Sequence, residues 1–395
     1  MRVILFSSEF PPGPGGLGTH AYYLSKSMSE KGWEIVVLTP QDYASAAEVA
    51  EFNRTQAFPV VTLPSGRGAI IELFTRVKVL ARQLKSMNPD IVVASGERAA
   101  WLAALVCFMT SRRYAVVGHG TEYGTASGWR AFLTRLALNR ADLVIVVSNF
   151  THALVKKLGA TPRRMTVIPN GADPDLFMRL PPDQVIEFKR KIGMHDRHII
   201  LTVGQVTERK GQEVIIRALP QILDSIPDTH YVMVGLPTGK EVLMSLAKSL
   251  GVHDHVHFAG KVSQQELVRY MNACDVFAMT SRMTSSGDCE GYGIAAVEAA
   301  LCGKPAVVSG ESGLAEAIVD GETGIVVPPN DVQATSAALI RLLSDRNLRR
   351  HMGENAQARA LREQTWCRRG AEMESALRGL VEGEHIVAQN LTHTV

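Results

Sequence analysis

Little in this sequence serves cross-linking, metal capture or membrane insertion. Its 395 residues include five cysteines, Cys107, Cys274, Cys289, Cys302 and Cys367, and no two form a C-x-x-C pair. Widely spaced thiols in a large chain argue against a disulfide framework and predict buried, reduced side chains in the cytosol. Free cysteine is among the most buried residue types. Cys289 adjoins Glu290, yet nothing near it in sequence would lower its pKa. There is no H-E-x-x-H pattern and no carboxylate cluster, so no metal site is expected. The apolar runs break before about 18 residues, so no transmembrane helix is expected. Arg2 followed by VILFSS is too short for a signal peptide and reads as a first strand. A large excess of one charge is lacking too: the net charge is +3, which gives no case for a nucleic-acid partner.

What is present is an ordinary globular composition, 46% apolar and 21% charged, which argues against disorder. The length exceeds what one hydrophobic core usually fills, so two domains are the first expectation. Short Val- and Ile-rich runs alternate with helical patterns. They lie at 2–8, 34–40, 90–95, 114–120 and 142–148, with helices such as 18–32 and 75–87 in the gaps. Runs without polar alternation predict strands buried on both faces. Strand–helix alternation predicts a parallel sheet with right-handed crossovers. The pattern restarts at 198–204 and continues at 231–237, 256–262, 275–281, 305–310 and 324–329. Between the sets, IPNGADPDLFMRLPPD at 168–183 reads as a connection. The expected fold class is therefore α/β, two Rossmann-like doubly wound domains. The last helical stretch, 333–381, has no strand after it, and 382–395 reads as a frayed tail.

Open parallel sheets bind ligands beyond the carboxyl ends of their strands. Two such domains facing each other would gather the loops after residues 8, 95, 118, 148, 204, 236, 262 and 281 around one central cleft. The first loop, Gly13-Pro14-Gly15-Gly16-Leu17-Gly18, formally matches the dinucleotide fingerprint G-x-G-x-x-G. Pro11 and Pro12 lengthen it, and the next strand ends without a ribose-binding acid. Its physical content survives: glycines let backbone N–H groups approach an anion at a helix start. The plain alternative is a tight strand-to-helix turn.

Arg209 and Lys210 follow the first strand of the second set. A planar fork and a point charge suit a diphosphate, although a solvated turn would look the same. Glu290-Gly291-Tyr292-Gly293-Ile294 opens an Ala-rich helix whose first N–H groups lack helical partners. Glu298 sits in the first turns of that helix, so two carboxylates could grip several hydroxyls. The alternatives are capping for Glu290 and helix-dipole complementarity for Glu298. His119, between Gly118 and Gly120 at a strand end, could donate to a sugar hydroxyl or to developing charge. Arg76, Lys78, Arg82 and Lys85 alternate with apolar residues. Such a helix can lie on an anionic membrane or pack its apolar face inward.

Longer blocks carry a resemblance. VGQVTERKGQEVIIRAL, VHFAGKVSQQELVRYMNACDVFAMTS and EGYGIAAVEAALCGKPAVVSGESGLAEAIVDGETGIVVPPND are similar to the family-four retaining glycosyltransferases of the two-domain GT-B type. FPPGPGGLGTHAYYLSKSM, GHGTE and VVSNFTHALVKKLGATPRRMTVIPNGADPDLF extend it to nearly the whole chain. The RKGQ and CEGYG variants resemble bacterial mannosyltransferases acting on phosphatidylinositol mannosides. The resemblance implies an acceptor domain over 1–172, a nucleotide-sugar domain over 173–366, and a final helix and tail over 367–395 returning to the first domain. It implies that Lys210, with Arg209, binds the donor diphosphate, that Glu290 contacts the donor sugar and that Glu298 holds the ribose. Gly291, Tyr292, Gly293 and Ile294 would meet sugar and phosphate through their backbone, and Val262 the base. His119 would reach the transferred sugar, and Gly15, Gly16 and Gly18 would lie near the phosphate. Catalytic roles fall on His119, Glu290, Lys210 and Arg209.

One position departs from the pattern. Gln205 stands where many relatives carry an arginine as a second diphosphate clamp. A charge-assisted contact is roughly twice as strong as a neutral one. Either Arg209 takes that role or donor binding is altered. The implied reaction moves a mannose- or glucose-type hexose from a GDP- or UDP-sugar to a hydroxyl of a glycan, lipid-linked or small-molecule acceptor. The anomeric centre is retained and neither metal nor cofactor takes part. The setting would be cytoplasmic, at the inner face of the membrane if the basic helix docks there. The alternatives are a nucleotide-sugar 2-epimerase of the same architecture, a dehydrogenase using the first glycine loop, and a non-catalytic sugar-nucleotide binder.

Overall fold

The structure, a computed structural model, describes residues 1–13, 15–66 and 68–383, with backbone alone for Ala69 and Ile70. Pro14 of the first glycine loop and the expected tail from 384 onward lie outside the described residues. The chain forms two compact units. One comprises Met1–Val146, Val155–Ile168 and the chain from Trp366; the other comprises Val147–Leu154 and Pro169–Thr365.

Unit one is built on seven parallel strands: β1 (Arg2–Ser7), β2 (Glu34–Thr39), β3 (Val60–Thr62), β4 (Ile91–Ser95), β5 (Tyr114–Gly118), β6 (Leu143–Val146) and β7 (Met165–Val167). Their order is β3-β2-β1-β4-β5-β6-β7. Every residue of β4, β5 and β6 is buried, which is why these runs lack polar alternation. The sequence reading missed β3 and β7. Each is a three-residue edge strand without a fully buried residue, too short to show a period. The helix Gly16–Glu30 begins two residues before its expected start, and the expected helix 75–87 runs over Ala69–Met87.

The helix Trp366–Glu382 belongs to this unit and buries Met373, Leu377 and Leu380 against Val3, Leu24 and Met28. Lys31 Nζ donates to Glu374 Oε2 at 2.8 Å on the same seam. Cys107, Cys274, Cys289 and Cys302 are buried, as expected, but Cys367 is exposed. It lies off the face that Trp366, Gly370, Met373 and Leu377 turn inward.

Unit two holds β8 (His198–Val203), β9 (Thr229–Val234), β10 (Val256–Gly260), β11 (Val276–Met279), β12 (Ala306–Ser309) and β13 (Gly324–Val327). They form a parallel sheet in the order β10-β9-β8-β11-β12-β13. Alternate residues serve opposite faces, as the pleat requires. Ile199, Leu201, Phe277 and Val308 enter one cluster; Ile200, Val276 and Val307 enter the other with Ile215 and Ile216. The long helical stretch at the end resolves into Val332–Ser344, Arg346–Glu363 and Trp366–Glu382. Asp331 and Asp345 cap the first two, accepting from Ala334 N at 2.8 Å and Leu348 N at 2.9 Å.

Candidate active site

In unit two, the loop after β8 forms a short turn, Glu208–Lys210, closed by Gly211 at φ 65°. A Cβ at Gly211 would overlap the carbonyl oxygen of Thr280. Thr280 Oγ1 donates to Gly211 O at 2.7 Å, and Arg282 N donates to Arg209 O at 2.8 Å. The loop after β11 therefore grips the turn after β8. It also supplies the partner for its charges. Lys210 Nζ donates to Glu290 Oε2 at 2.7 Å, and the Arg209 guanidinium pairs with that same oxygen. Arg209 Nε lies 3.3 Å from Asp288.

The Lys210 and Glu290 side chains are only 12% and 14% exposed, so water screens the pair weakly. Burial alone would raise the Glu290 carboxyl. Lys210 and then Arg209 outweigh burial and hold it below the usual carboxylate range. Glu298, on the helix Ile294–Leu301, is pushed up to about 7 by burial, with Lys210 pulling the other way. The structure thus brings Arg209, Lys210, Glu290 and Glu298 together in one electrostatic group.

The remaining expected residues of this unit divide. Gly291 and Gly293 are buried beside the group, and Gly293 caps the helix that begins at Ile294. The Tyr292 side chain packs in the core, and its hydroxyl accepts from Gln364 Nε2 at 3.2 Å. Val262 is half-buried against the same core. Gln205 is exposed and donates to Thr238 Oγ1 at 2.9 Å, with no bond to the charged group. Sequence reasoning missed Asp288 and Arg282. Arg282 Nη1 donates to Glu213 Oε1 at 2.9 Å and Asn330 Oδ1 at 2.8 Å, which braces the turn from outside. Neither residue stands out in sequence, because ordinary loop charges look alike.

In unit one, His119 follows β5. Its Nε2 lies 2.9 Å from Ser95 Oγ, at the end of β4, and its backbone N donates to Glu122 Oε1 at 2.6 Å. The ring of His20 stands edge-on to that of His119 at 5.1 Å. His119 is pushed down to about 4 by burial, so its imidazole is neutral near pH 7. Glu122 is pushed up to about 7, again by burial, against the pull of its backbone hydrogen bond from His119. Gly16 starts the helix that carries Gly18 and His20. Gly15 takes φ 143°, and a Cβ there would lie 2.5 Å from Glu9 Oε2. Ser95, His20, Glu122 and Glu9 escaped the sequence reading. Only Glu122, inside GHGTE, carried a positional hint. A pocket of about 140 Å³ opens at the ends of β1 and β2, lined by residues including Ser7, Ser8, Asp42, Tyr43, Arg76 and Arg98.

Two family models match in tandem: Glycosyltransferase Family 4 over residues 14–176 and Glycosyl transferases group 1 over 184–359. A GDP-mannose-dependent alpha-(1-6)-phosphatidylinositol monomannoside mannosyltransferase from Mycolicibacterium smegmatis is 32% identical over 95% of this chain and 98% of its own. The chain belongs to the family-four glycosyltransferases. A D-inositol 3-phosphate glycosyltransferase from Corynebacterium diphtheriae is 28% identical, covering 95% of this glycosyltransferase and 94% of its own chain. Anabaena HepE, solved with UDP and glucose, superposes with a TM-score of 0.82 at 22% identity. The match covers 95% of the glycosyltransferase and 99% of HepE, and establishes the GT-B fold.

Proposed function

We propose that this glycosyltransferase moves a mannosyl group, with retention, from GDP-mannose to a lipid-linked acceptor containing an inositol phosphate. The observation that carries the reading is the Arg209–Lys210–Glu290 group with Glu298 beside it. Arg209 and Lys210 take the donor diphosphate and offset the charge of the leaving group, so the mechanism needs no metal. Glu290 takes hydroxyls of the sugar and Glu298 those of the ribose. Gly291, Tyr292, Gly293 and Ile294 contribute backbone, and Val262 meets the base. Retention follows from front-face attack, in which the leaving phosphate accepts the acceptor's proton.

The sugar and base are drawn from the M. smegmatis relative, whose name specifies GDP-mannose. UDP-glucose is the competing donor, favoured by the HepE complex. Both named bacterial relatives act on compounds of inositol and phosphate. We assign acceptor binding to unit one, whose Arg76 and Arg98 line a pocket beside β1. His119 contacts the transferred sugar, and Gly15, Gly16 and Gly18 contact phosphate. Membrane contact is proposed for the same unit. Phe74, Phe108, Met109 and Trp129 are each at least 67% exposed, and the described residues contain no helix able to cross a membrane. The setting is cytoplasmic.

Thermal-shift titration with GDP, UDP and their sugars tests the donor, since a ligand of the folded state raises its melting temperature. GDP-mannose should give the largest shift. Lys210→Ala and Glu290→Ala should each lose most turnover while still folding, and wild-type turnover in both would sink the site assignment. Activity should survive EDTA.

A further inference from the structure

Ser95 ends β4 and is fully buried. Its hydroxyl has one hydrogen-bond partner among the described residues, Nε2 of His119 at 2.9 Å. A buried hydroxyl carries a hydrogen that must be donated somewhere, or the group forfeits its hydration without return. If Nε2 were the protonated nitrogen, it would donate to Ser95 Oγ and the serine hydrogen would have no acceptor. The arrangement is satisfied only if Ser95 donates and Nε2 accepts. A neutral imidazole that accepts at Nε2 carries its proton on Nδ1. His20 does not compete for either nitrogen. Its ring meets His119 edge-on at 5.1 Å, and both of its own nitrogens are buried without partners among the described residues.

We infer that Ser95 is a positioning residue that fixes His119 as its Nδ1–H tautomer, making the ring a neutral hydrogen-bond donor. The inference rests on the reading of His119 as a contact for the transferred sugar. It specifies what that contact can be. Nδ1–H serves an oxygen with free lone pairs, a sugar hydroxyl or an oxygen gaining negative charge. It cannot take the proton of an acceptor hydroxyl, so His119 is not the general base. Burial holds His119 neutral near pH 7, so the tautomer, not the charge, sets its role. No proton leaves Ser95 or His119 during the reaction.

Long-range proton–nitrogen spectra of the whole chain read the tautomer of each histidine, with His119 assigned by its loss in His119→Gln. The wild-type ring should be protonated on Nδ1. Ser95→Ala should release it toward the Nε2–H form and lower kcat roughly tenfold, the rate equivalent of about one hydrogen bond, with little change in donor KM. An Nε2–H ring in the wild type overturns the inference without any variant. An unchanged Nδ1–H ring in a folded Ser95→Ala protein overturns it as well. Full turnover in His119→Ala overturns instead the sugar-contact reading, and the spectra still decide the tautomer.

Discussion

Lys210 Nζ lies 2.7 Å from Glu290 Oε2, and the Arg209 guanidinium pairs with that same oxygen. One carboxylate thus occupies both cations proposed for the donor diphosphate. A diphosphate must compete with Glu290, and Glu290 then becomes free to meet sugar hydroxyls. Glu290→Gln therefore separates two effects. Nucleoside diphosphate alone should bind the variant roughly three- to tenfold more tightly, because a charged competitor is gone. The extra affinity that the sugar confers should fall. Calorimetric titration with GDP and with GDP-mannose reads both, and weaker GDP binding in the variant would refute the competition.

The same pair bears on stability. Removing one partner of a buried ion pair leaves an uncompensated charge, which costs about 3 kcal/mol. Arg209 still pairs with Glu290 when Lys210 is gone, so Lys210→Met should lower the unfolding free energy by less than that amount. Adding Glu290→Gln to it should cost much less than the sum of the single changes. Urea denaturation of the four proteins gives the coupling, and simple additivity would mean that the pair does not form.

Glu298 gives a pH signature. Its carboxyl is raised from the ordinary 4.5 to about 7 by burial. A raised acid holds its proton more tightly when folded than when unfolded. Its contribution is fully present below about pH 4.5 and is lost as pH rises through about 7. Glu298 should make stability fall across that window, against a rise from the buried imidazole of His119, which is held down to about 4, and Glu298→Gln should remove its share of the fall. Glu122, also raised to about 7, contributes with the same sign, so part of the slope should remain. An identical slope in the variant would show that Glu298 titrates normally.

Much of the fold was legible because buried parallel strands have no polar face. The runs that became β1, β4, β5, β8 and β12 could be read directly. β3 and β7 could not, since three half-exposed residues at a sheet edge carry no period. The charged residues Arg209, Lys210 and Glu290 were readable from their places at strand ends. Their pairing was not, because Lys210 and Glu290 are 80 positions apart and meet only through the β8–β11 pairing. Ser95 was invisible for another reason: a serine at a strand end is ordinary until a histidine 24 residues later lands against its hydroxyl.

Gly211 tests the turn that presents the cations. Its φ of 65° is strained for any L side chain, and a Cβ would overlap the Thr280 carbonyl. Gly211→Ala should destabilise the protein by at least about 1–3 kcal/mol and move Arg209 and Lys210 away from Glu290. Donor affinity should fall along with stability. A folded variant of unchanged stability and donor affinity would mean that the turn tolerates the displacement.

The exposed apolar face of unit one leads to the last prediction. On the helix Glu97–Thr110, Leu105, Phe108 and Met109 recur at spacings of three and four and are 48%, 67% and 72% exposed. Trp129 and Phe132 are exposed on the helix Gly128–Arg140, whose Arg140 guanidinium stacks over Phe108 at 4.8 Å. Exposed apolar side chains at this density usually mark an interaction surface. Basic residues among apolar ones favour an anionic lipid surface over a neutral one, through an attraction that salt screens. The protein should therefore cosediment with vesicles containing phosphatidylglycerol and much less with pure phosphatidylcholine. Phe108→Ser with Met109→Ser should weaken that binding about tenfold or more, given about 0.8 kcal/mol for each buried methylene. Turnover on a soluble acceptor analogue should be unaffected, because neither residue belongs to the proposed site. Equal binding of wild type and variant would leave the apolar face without a membrane role.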